Sequence, residues 1–232
     1  MAKASKGGGA RFAAVRVRGK ARKASSRQWL ARQLNDPYVR AARQCGLRSR
    51  AAFKLIEIDG KARLLRPGQR VVDLGAAPGG WTQIAVERVR AGNPGGGTVV
   101  AIDKDAMDPI PGAVLITSDM TDTSSDARIL EALGGQADVV LSDMSPATVG
   151  HARTDHLRIL TLVEAAAEFA LRHLAPGGSF VAKVFEGGTE QALLARLKRS
   201  FARIRHIKPP ASRKVSAEIY LVATGFRGAA KG

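Results

Sequence analysis

A glycine-rich stretch at 73–81, with the sequence DLGAAPGGW, has the residue types of a cofactor-binding turn. It follows a short apolar run and precedes a helical pattern, which is where doubly wound sheets bind nucleotides. Ala77 stands where a dinucleotide site needs its second glycine, and no Gly-Lys-Ser/Thr sequence follows to form a P-loop. The stretch therefore favours a cofactor with an adenosine and an amino-acid end, and a structural turn is the alternative. The candidate cofactor residues in it are Asp73, Gly75, Gly79, Gly80 and Trp81.

Two of these residues have a second interpretation, and two further acids extend the candidate site. Asp73 could brace the turn, and Trp81 could fill the core between helix and sheet. Asp103 ends the next apolar run, where a carboxylate can accept hydrogen bonds from ribose hydroxyls. Asp119 follows the run after that, where it could accept from an adenine amino group. Each acid alone could be an ordinary strand-end or capping residue, but their alignment with the turn favours one shared cofactor site.

Three other charged residues interrupt or border apolar runs. Asp143 ends one run, Lys183 interrupts the sequence VAKVF, and Glu218 opens EIYLVAT. A charge inside a buried strand is costly unless it is paired or functional. The three residues therefore indicate either a structural ion-pair cluster or a reactive site, and a lone strand-end lysine could also extend its amine to water.

Short apolar runs supply the strands that must position these residues. They are rich in β-branched residues and too short for typical helices, and they lie at 70–75, 98–103, 113–118, 137–142, 178–185, 202–208 and 216–224. Helical patterns separate most of them, at 80–91, 124–134, 155–174 and 189–201. This alternation predicts an α/β fold with a seven-stranded, mostly parallel sheet and helices on both faces. Only a proline-containing loop joins the last two runs, so the last strand should be antiparallel. This arrangement resembles the Rossmann-like class I S-adenosylmethionine methyltransferases.

The charge of the chain is strongly positive and unevenly distributed. There are 37 lysine and arginine residues against 20 aspartates and glutamates, a net charge of +17. Residues 1–70 contain 19 of the basic and 3 of the acidic residues. Such a surface attracts polyanions, of which nucleic-acid phosphates are the commonest inside cells. The candidate RNA contacts precede the first strand or lie between the last two: Arg40, Arg43, Arg48, Arg50, Lys54, Arg213 and Lys214.

The same patterns predict four segments. Residues 1–30 form a basic tail with little to bury, for which we expect no order, and a merely solubilising arm is the alternative to RNA binding. Residues 31–66 form a basic helical segment, in which two short amphipathic helices meet near Gly46. Residues 67–225 form the α/β domain, and 226–232 form a short tail.

Composition excludes several classes of protein. The chain contains no stretch of 18 uninterrupted apolar residues, the length that a membrane-spanning helix needs. The single cysteine, Cys45, cannot form an internal disulfide, and neither cysteine nor histidine spacing indicates a metal site. The N-terminus lacks the apolar run of a secretory signal. We therefore expect a cytoplasmic protein without membrane or metal partners.

Five stretches together resemble the FtsJ/RlmE family of ribosomal RNA methyltransferases. They are GLRSRAAFKL at 46–55, DLGAAPGGW at 73–81, SDM-x-P at 142–146, LAPGGSFVAKVF at 174–185 and SRKVSAEIYLVATG at 212–225. The resemblance covers the chain from about Asp36 to Gly225. It implies a class I fold and methyl transfer from S-adenosyl-L-methionine to a ribose 2′-hydroxyl. In the bacterial family, this hydroxyl belongs to a uridine of large-subunit (23S) ribosomal RNA.

The resemblance also implies roles for particular residues. The family's tetrad of two lysines, an aspartate and a glutamate falls on Lys54, Asp143, Lys183 and Glu218. Lys183 is then the proton acceptor, and Lys54 steers the 2′-hydroxyl or its adjacent phosphate. Asp143 and Glu218 orient the two amines, and Asp143 is also a candidate cofactor contact.

The implied partner is ribosomal RNA or the assembling large ribosomal subunit, and we expect the protein to act as a monomer. Two features leave the target open, namely the divergent loop 145–150 and the long basic extension at 1–30. Methylation of another RNA, such as a transfer RNA, is one alternative. A non-catalytic ribosome-assembly factor that binds RNA is the other.

Overall fold

The computed structural model of the protein describes residues 34–120, 122–146, 152–186 and 191–228. The predicted tail at 1–30 and residues 147–150 of the divergent loop lie outside these ranges.

The described residues form one seven-stranded sheet in the order β3-β2-β1-β4-β5-β7-β6. Its strands are β1 Arg70–Leu74, β2 Thr98–Asp103, β3 Ala113–Thr117, β4 Ala137–Ser142, β5 Leu174–Phe185, β6 Phe201–Ile207 and β7 Glu218–Phe226. Strands β1 to β5 pair in parallel, and β7 runs antiparallel to both β5 and β6. The predicted α/β fold with an antiparallel last strand is confirmed.

Helices precede the sheet and connect its strands. They are α1 Pro37–Gln44, α2 Ala51–Ala62, α3 Gly80–Val89, α4 Thr123–Leu133, α5 Ala152–His173 and α6 Gln191–Ser200. The two helices predicted around Gly46 are α1 and α2. The carboxylate of Asp36 caps α1 by accepting a hydrogen bond from the Tyr38 amide at 3.0 Å, and Gly46 turns the chain with a φ of 67°. Among the described helices, none is long and apolar enough to cross a membrane.

Strand β5 differs from its predicted start at 178. It begins at Leu174, which pairs with Ala137, and the register shifts before Val139 pairs with Ser179. The intervening Pro-Gly-Gly sequence is typical of a turn, but in the structure it forms an irregularity within the strand. Strand irregularities tolerate both proline and glycine. The neighbouring strand β7 continues to Phe226, one residue into the predicted tail.

Each face of the sheet has its own helices, because successive strand residues point to opposite faces. Val72 and Val100 belong to one apolar cluster with α4, α5 and α6. Val71 and Val99 belong to a second cluster with α2 and α3. The second face is the one that carries Asp143, Lys183 and Glu218.

The same alternation places these charges beside α2. Leu141, Val181 and Tyr220 all belong to the cluster with α2 and α3. Asp143 lies two residues beyond Leu141, and Lys183 lies two beyond Val181, so both continue along that face. The sheet register pairs Lys183 directly with Tyr220. Three strands therefore bring their polar residues together opposite Lys54 of α2.

Candidate active site

A cleft of about 660 Å³ opens at the carboxyl ends of β1, β2, β3 and β4. Strands β1 and β4 are neighbours although β2 and β3 separate them in sequence, so the cleft lies at the topological switch point of the sheet. Its charged lining residues are Asp103, Lys104, Asp105, Asp119, Asp143 and Arg158. Acids outnumber bases in this wall, which suits a ligand that carries positive charge.

The glycine residues of the turn after β1 are required by close packing. Gly75 has a φ of 72°, and a Cβ there would lie 2.2 Å from Cγ of Met144. Gly79 has a φ of 101°, and its Cβ would lie 2.6 Å from Cδ1 of Ile110. A side chain at either position would therefore displace a wall of the cleft.

Asp103 shapes the turn and also faces the cleft. Its Oδ2 accepts a hydrogen bond from the Ala77 amide at 2.8 Å, and its Oδ1 accepts from the Asp105 amide at 2.9 Å. Each carboxylate oxygen has further acceptor capacity for a ligand hydroxyl. Asp119 is exposed at the next strand end and lines the same cleft. The structure thus brings the two predicted nucleoside-binding acids together.

Asp73 braces the turn from inside. It is 1% exposed, and its Oδ2 accepts a hydrogen bond from the Thr82 hydroxyl of α3 at 2.7 Å. Its Oδ1 is buried without a hydrogen-bond partner among the described residues. Burial raises the pKa of Asp73 to about 7, assisted by Asp143 and Asp103 and opposed by the Thr82 hydrogen bond. Asp73 is absent from the cleft lining, so the bracing interpretation fits its position better than contact with a cofactor.

Replacing Asp73 by asparagine should raise stability most at alkaline pH. The folded carboxyl keeps its proton up to about pH 7, whereas an unfolded aspartate loses it near pH 3.9. The folded state therefore holds more protons between these values, and the contribution of the protonated carboxyl is lost as pH rises through them. We expect Asp73→Asn to gain on the order of 1–3 kcal/mol more, relative to the unchanged protein, at pH 8 than at pH 5. Urea unfolding at both pH values measures this, and an equal difference at both would contradict it.

Trp81 lies in the core rather than in the cleft. Its indole is 3% exposed, donates a hydrogen bond to the Ala51 carbonyl at 2.8 Å, and packs on Tyr220 with ring centroids 5.5 Å apart. The prediction of a cofactor contact is thus corrected for the side chain, because the indole connects α2, α3 and β7. Its backbone still lies in the first turn of α3, beside the glycine-rich turn.

Two buried ion pairs unite the four residues of the predicted tetrad. Nζ of Lys183 lies 3.1 Å from Oδ1 of Asp143 and donates to the Asp143 carbonyl at 2.7 Å. Nζ of Lys54 lies 2.9 Å from both carboxylate oxygens of Glu218. The lysine side chains are only 7% and 12% exposed. Asp143 is the link to the cleft, because it lines the cleft and pairs with Lys183.

Tyr220 is a site residue that sequence reasoning missed. Its hydroxyl donates to Oδ1 of Asp143 at 2.7 Å, and Lys54 Nζ lies 5.7 Å from its ring centroid. Burial, together with Asp143 and Glu218, raises the pKa of Tyr220 well above its ordinary value, so it stays a neutral donor. A tyrosine in the apolar run EIYLVAT reads as core, but its position two residues after Glu218 places both on one face.

The loop between β6 and β7 supports Glu218 from outside the sheet. The Ser212 hydroxyl donates to Oε1 of Glu218 at 2.8 Å, and the Ala211 amide donates to Oε2 of Glu57 at 2.7 Å. Glu57 lies on α2, one helical turn beyond Lys54. The helix and the loop therefore hold the Lys54–Glu218 pair between them.

The predicted RNA contacts separate into two groups. Arg40, Arg43 and Lys214 are exposed. Arg50 lies 2.6 Å from Asp36 and donates to the Ala211 carbonyl, and Arg213 lies 3.4 Å from the same carboxylate. The Arg48 guanidinium donates to backbone carbonyls beside the cleft. The side chains of Arg48 and Arg50 thus both bind groups of the protein, and their RNA contacts stay a prediction.

The residues that the structure describes contain no cluster of three or more histidine, cysteine or acidic side chains placed to hold a metal ion. Cys45 is a free, exposed thiol at the end of α1.

Known proteins resemble this chain over most of its length. Residues 47–226 match the family described as FtsJ-like methyltransferase. A protein of Paramagnetospirillum magneticum named ribosomal RNA large subunit methyltransferase E is 59% identical over 226 residues, which cover 97% of this chain and 93% of that protein. A protein of the same name in Rhodospirillum rubrum is 58% identical over 225 residues, covering 97% and 86% of the two chains.

Solved structures share the fold. A ribosomal RNA methyltransferase from Plasmodium falciparum superposes with a TM-score of 0.69 at 32% identity, covering 78% of this chain and 99% of that one. The fibrillarin/Nop5p complex gives a TM-score of 0.51 at 20% identity over 75% of this chain and 83% of its own, and that likeness concerns the fold alone.

Proposed function

Because this chain belongs to the FtsJ-like methyltransferase family, we propose that it transfers a methyl group from S-adenosyl-L-methionine to the 2′-hydroxyl of a uridine in large-subunit (23S) ribosomal RNA. The names of the relatives support a ribosomal RNA substrate. The observation that carries the proposal is the position of Asp143, which lines the cleft and pairs with Lys183. A methyl donor in the cleft would thus lie beside a lysine that can accept a proton.

The residues of the cleft fit S-adenosyl-L-methionine. Asp103 is placed to accept from ribose hydroxyls and Asp119 from an adenine amino group, both at strand ends. The turn at Gly75 and Gly79 lets the backbone approach the ligand closely. The excess of acids offsets the positive sulfonium and ammonium groups. When bound, this cofactor supplies a methyl carbon that its sulfonium makes electrophilic.

Lys183 would remove the proton of the 2′-hydroxyl. To act as a base, the Lys183 ammonium of the ion pair must first lose a proton to solvent. The neutral amine that remains has two N–H groups and one lone pair. The carbonyl and Oδ1 of Asp143 lie within hydrogen-bond distance of Nζ, at 2.7 and 3.1 Å, and can hold both N–H groups. The lone pair then points away from Asp143 and would accept the proton of a hydroxyl brought beside Nζ. The 2′-oxygen would lose its proton to Nζ as it takes the methyl group, whose bond to the sulfonium sulfur would break to leave a neutral thioether. Asp143 would stabilise the Lys183 ammonium that forms.

Lys54 would act as a fixed positive charge. Two of its N–H groups are directed at the two oxygens of Glu218, and a lysine ammonium has three such donors. The third can donate to an oxygen of the target ribose or its phosphate. Tyr220 and Ser212 hold the two carboxylates, so the amines keep their orientation when RNA approaches.

The exposed basic residues would bind RNA phosphates. Arg40, Arg43 and Lys214 are the predicted contacts whose side chains are exposed, and phosphate contacts of this kind position an RNA without reading its sequence. With ribosomal RNA as the substrate, the reaction belongs in the cytoplasm. The site is built from one chain, which is compatible with a monomeric enzyme.

Replacing Asp103 by asparagine should weaken cofactor binding about 10- to 100-fold, the loss expected when a charged acceptor of hydroxyl hydrogen bonds becomes neutral. Asparagine keeps the shape of the side chain and one acceptor for the Ala77 amide. Calorimetric titration with S-adenosyl-L-methionine measures the change. Glu131→Gln, at an exposed position of α4, is the matched control and should bind normally. Equal affinity in both variants would remove Asp103 from the cofactor site.

The proposed function is tested by tritium transfer from labelled S-adenosyl-L-methionine to large ribosomal subunits isolated from a strain that lacks this methylation. We expect tritium to be incorporated into the RNA of the large subunit. Transfer RNA from the same strain serves as the competing substrate. Labelling of transfer RNA alone would identify a different RNA target. Tight subunit binding without any labelling would indicate a non-catalytic assembly factor.

A further inference from the structure

We propose that Arg48 is a positioning residue that holds together two walls of the cofactor cleft. The inference rests on the proposed function, because it concerns the site assigned to S-adenosyl-L-methionine. It assigns to Arg48 a role in cofactor binding in place of a phosphate contact.

One guanidinium joins two separate loops. Arg48 donates to the Pro78 carbonyl at 3.3 Å, to the Asp108 carbonyl at 2.8 Å and to the Pro109 carbonyl at 2.7 Å. Pro78 belongs to the glycine-rich turn after β1, whereas Asp108 and Pro109 belong to the loop between β2 and β3. The first loop contributes Gly75 and Ala77 to the cleft, and the second contributes Lys104 and Asp105. Arg48 therefore connects two segments of the chain that both contribute to the cleft wall.

The loop between β2 and β3 has few backbone donors of its own. Its sequence from 104 to 112, KDAMDPIPG, contains two prolines, which have no backbone N–H to donate. Arg48 supplies donors to the carbonyls at 108 and 109. Ile110 follows directly and packs within the space that a Cβ at Gly79 would occupy. Holding this loop in place therefore also holds Ile110 against the glycine-rich turn.

The backbone of Arg48 is itself held in place. Its amide donates to Oε1 of Gln83 at 2.8 Å, and Nε2 of Gln83 donates to the Gly46 carbonyl at 3.1 Å. Gln83 lies on α3, the helix that begins at the glycine-rich turn. The guanidinium thus extends from a segment anchored on α3 rather than from a free surface helix.

The contacts require an arginine. Its planar guanidinium presents five donors in a rigid fork and can bind three carbonyls at once, whereas a lysine ammonium is a point charge on a flexible stem. Arg48→Lys should keep the charge and only part of the bridge. The Arg48→Lys variant therefore separates the effect of the positive charge from the effect of the hydrogen-bond geometry.

Calorimetric titration with S-adenosyl-L-methionine tests the inference on the unchanged protein, Arg48→Ala, Arg48→Lys and Arg66→Ala. Arg66 is an exposed arginine before the amino end of β1, at the opposite edge of the sheet from the cleft. We expect Arg48→Ala to lose at least about tenfold in affinity, Arg48→Lys to lose less, and Arg66→Ala to match the unchanged protein. Arg48→Ala should also lose more affinity for the cofactor than for ribosomal RNA.

Hydrogen exchange provides a readout that general destabilisation would not reproduce. In Arg48→Ala, amides in the loop 104–112 should exchange faster, while those of β4 and β5 keep their protection. Equal cofactor affinity in Arg48→Ala and the unchanged protein would overturn the inference and leave the proposed function intact. If the unchanged protein binds no S-adenosyl-L-methionine, the proposed function fails and the inference fails with it. If Arg48→Ala does not fold, Arg48→Lys decides, and an affinity equal to that of the unchanged protein would overturn the inference.

Discussion

Lys183→Ala should lower the rate of methyl transfer about 10²- to 10⁴-fold, the range of a positioned general base. The variant removes the amine that Asp143 holds at the edge of the cleft. Lys183 does not line the cleft itself, so affinity for S-adenosyl-L-methionine should change little. Single-turnover transfer at saturating cofactor, together with calorimetry on the same preparation, measures the two effects separately.

One further variant distinguishes proton removal by Lys183 from the effect of its positive charge, and a second serves as a control. Lys183→Arg keeps a positive partner for Asp143, but a guanidinium does not deprotonate in proteins, so it should be as slow as Lys183→Ala. Lys198→Ala removes an exposed lysine from α6, on the other face of the sheet, and should transfer at the normal rate. A Lys183→Arg protein that retains most of its activity would show that charge, and not proton removal, is what Lys183 supplies.

Asp143→Ala should reduce both stability and activity. It leaves the Lys183 ammonium, 7% exposed, without its charge partner, and loss of one partner of a buried pair costs about 3–5 kcal/mol. The Tyr220 hydroxyl loses its acceptor at the same time. Urea unfolding measures the stability. Methyl transfer under stabilising conditions should fall too, but by less than in Lys183→Ala, since the amine is still present and keeps its hydrogen bond to the carbonyl at 143.

The matched control for Asp143→Ala is Glu168→Ala. Glu168 pairs with Arg196, but the two side chains are 46% and 44% exposed, and such surface pairs contribute only about 0–1 kcal/mol. Asp143→Asn is the conservative variant, because it retains an acceptor for Tyr220. If Asp143→Ala were no less stable than Glu168→Ala, the Lys183–Asp143 pair would not be the buried element that the structure describes.

The sequence predicted the sheet well because its strands are short apolar runs separated by helical patterns. The antiparallel direction of β7 followed from its connection to β6, which is too short for a crossover helix. The start of β5 was predicted too late, since Pro176 and Gly177 are typical of a turn and only the pairing of Leu174 with Ala137 extends the strand through them. Tertiary pairing decided that boundary, and local composition could not.

The charged residues of the site could be found because they conflict with their surroundings. Asp143 and Lys183 stand out as charges beside or within apolar runs. Tyr220 does not conflict with its run, and its role depends on a carboxylate 77 positions away. The contacts of the arginines could not be predicted for a different reason. The charge of Arg48 and Arg50 is visible in the sequence, but the protein groups that accept hydrogen bonds from them are not. Asp36 and the carbonyls at 108 and 109 come near them only in the folded chain.

Nucleoside analysis of the reaction product tests the central claim most directly. Large-subunit RNA methylated by the purified protein is digested to nucleosides, which are separated and identified by mass spectrometry. If Lys183, held by Asp143, removes a proton from a ribose hydroxyl at the edge of the cleft, the labelled nucleoside is 2′-O-methyluridine. With Lys183→Ala it forms about 10²- to 10⁴-fold more slowly than with the unchanged protein. Methyl label on a base, or 2′-O-methyluridine formed equally well by Lys183→Ala, would contradict the account.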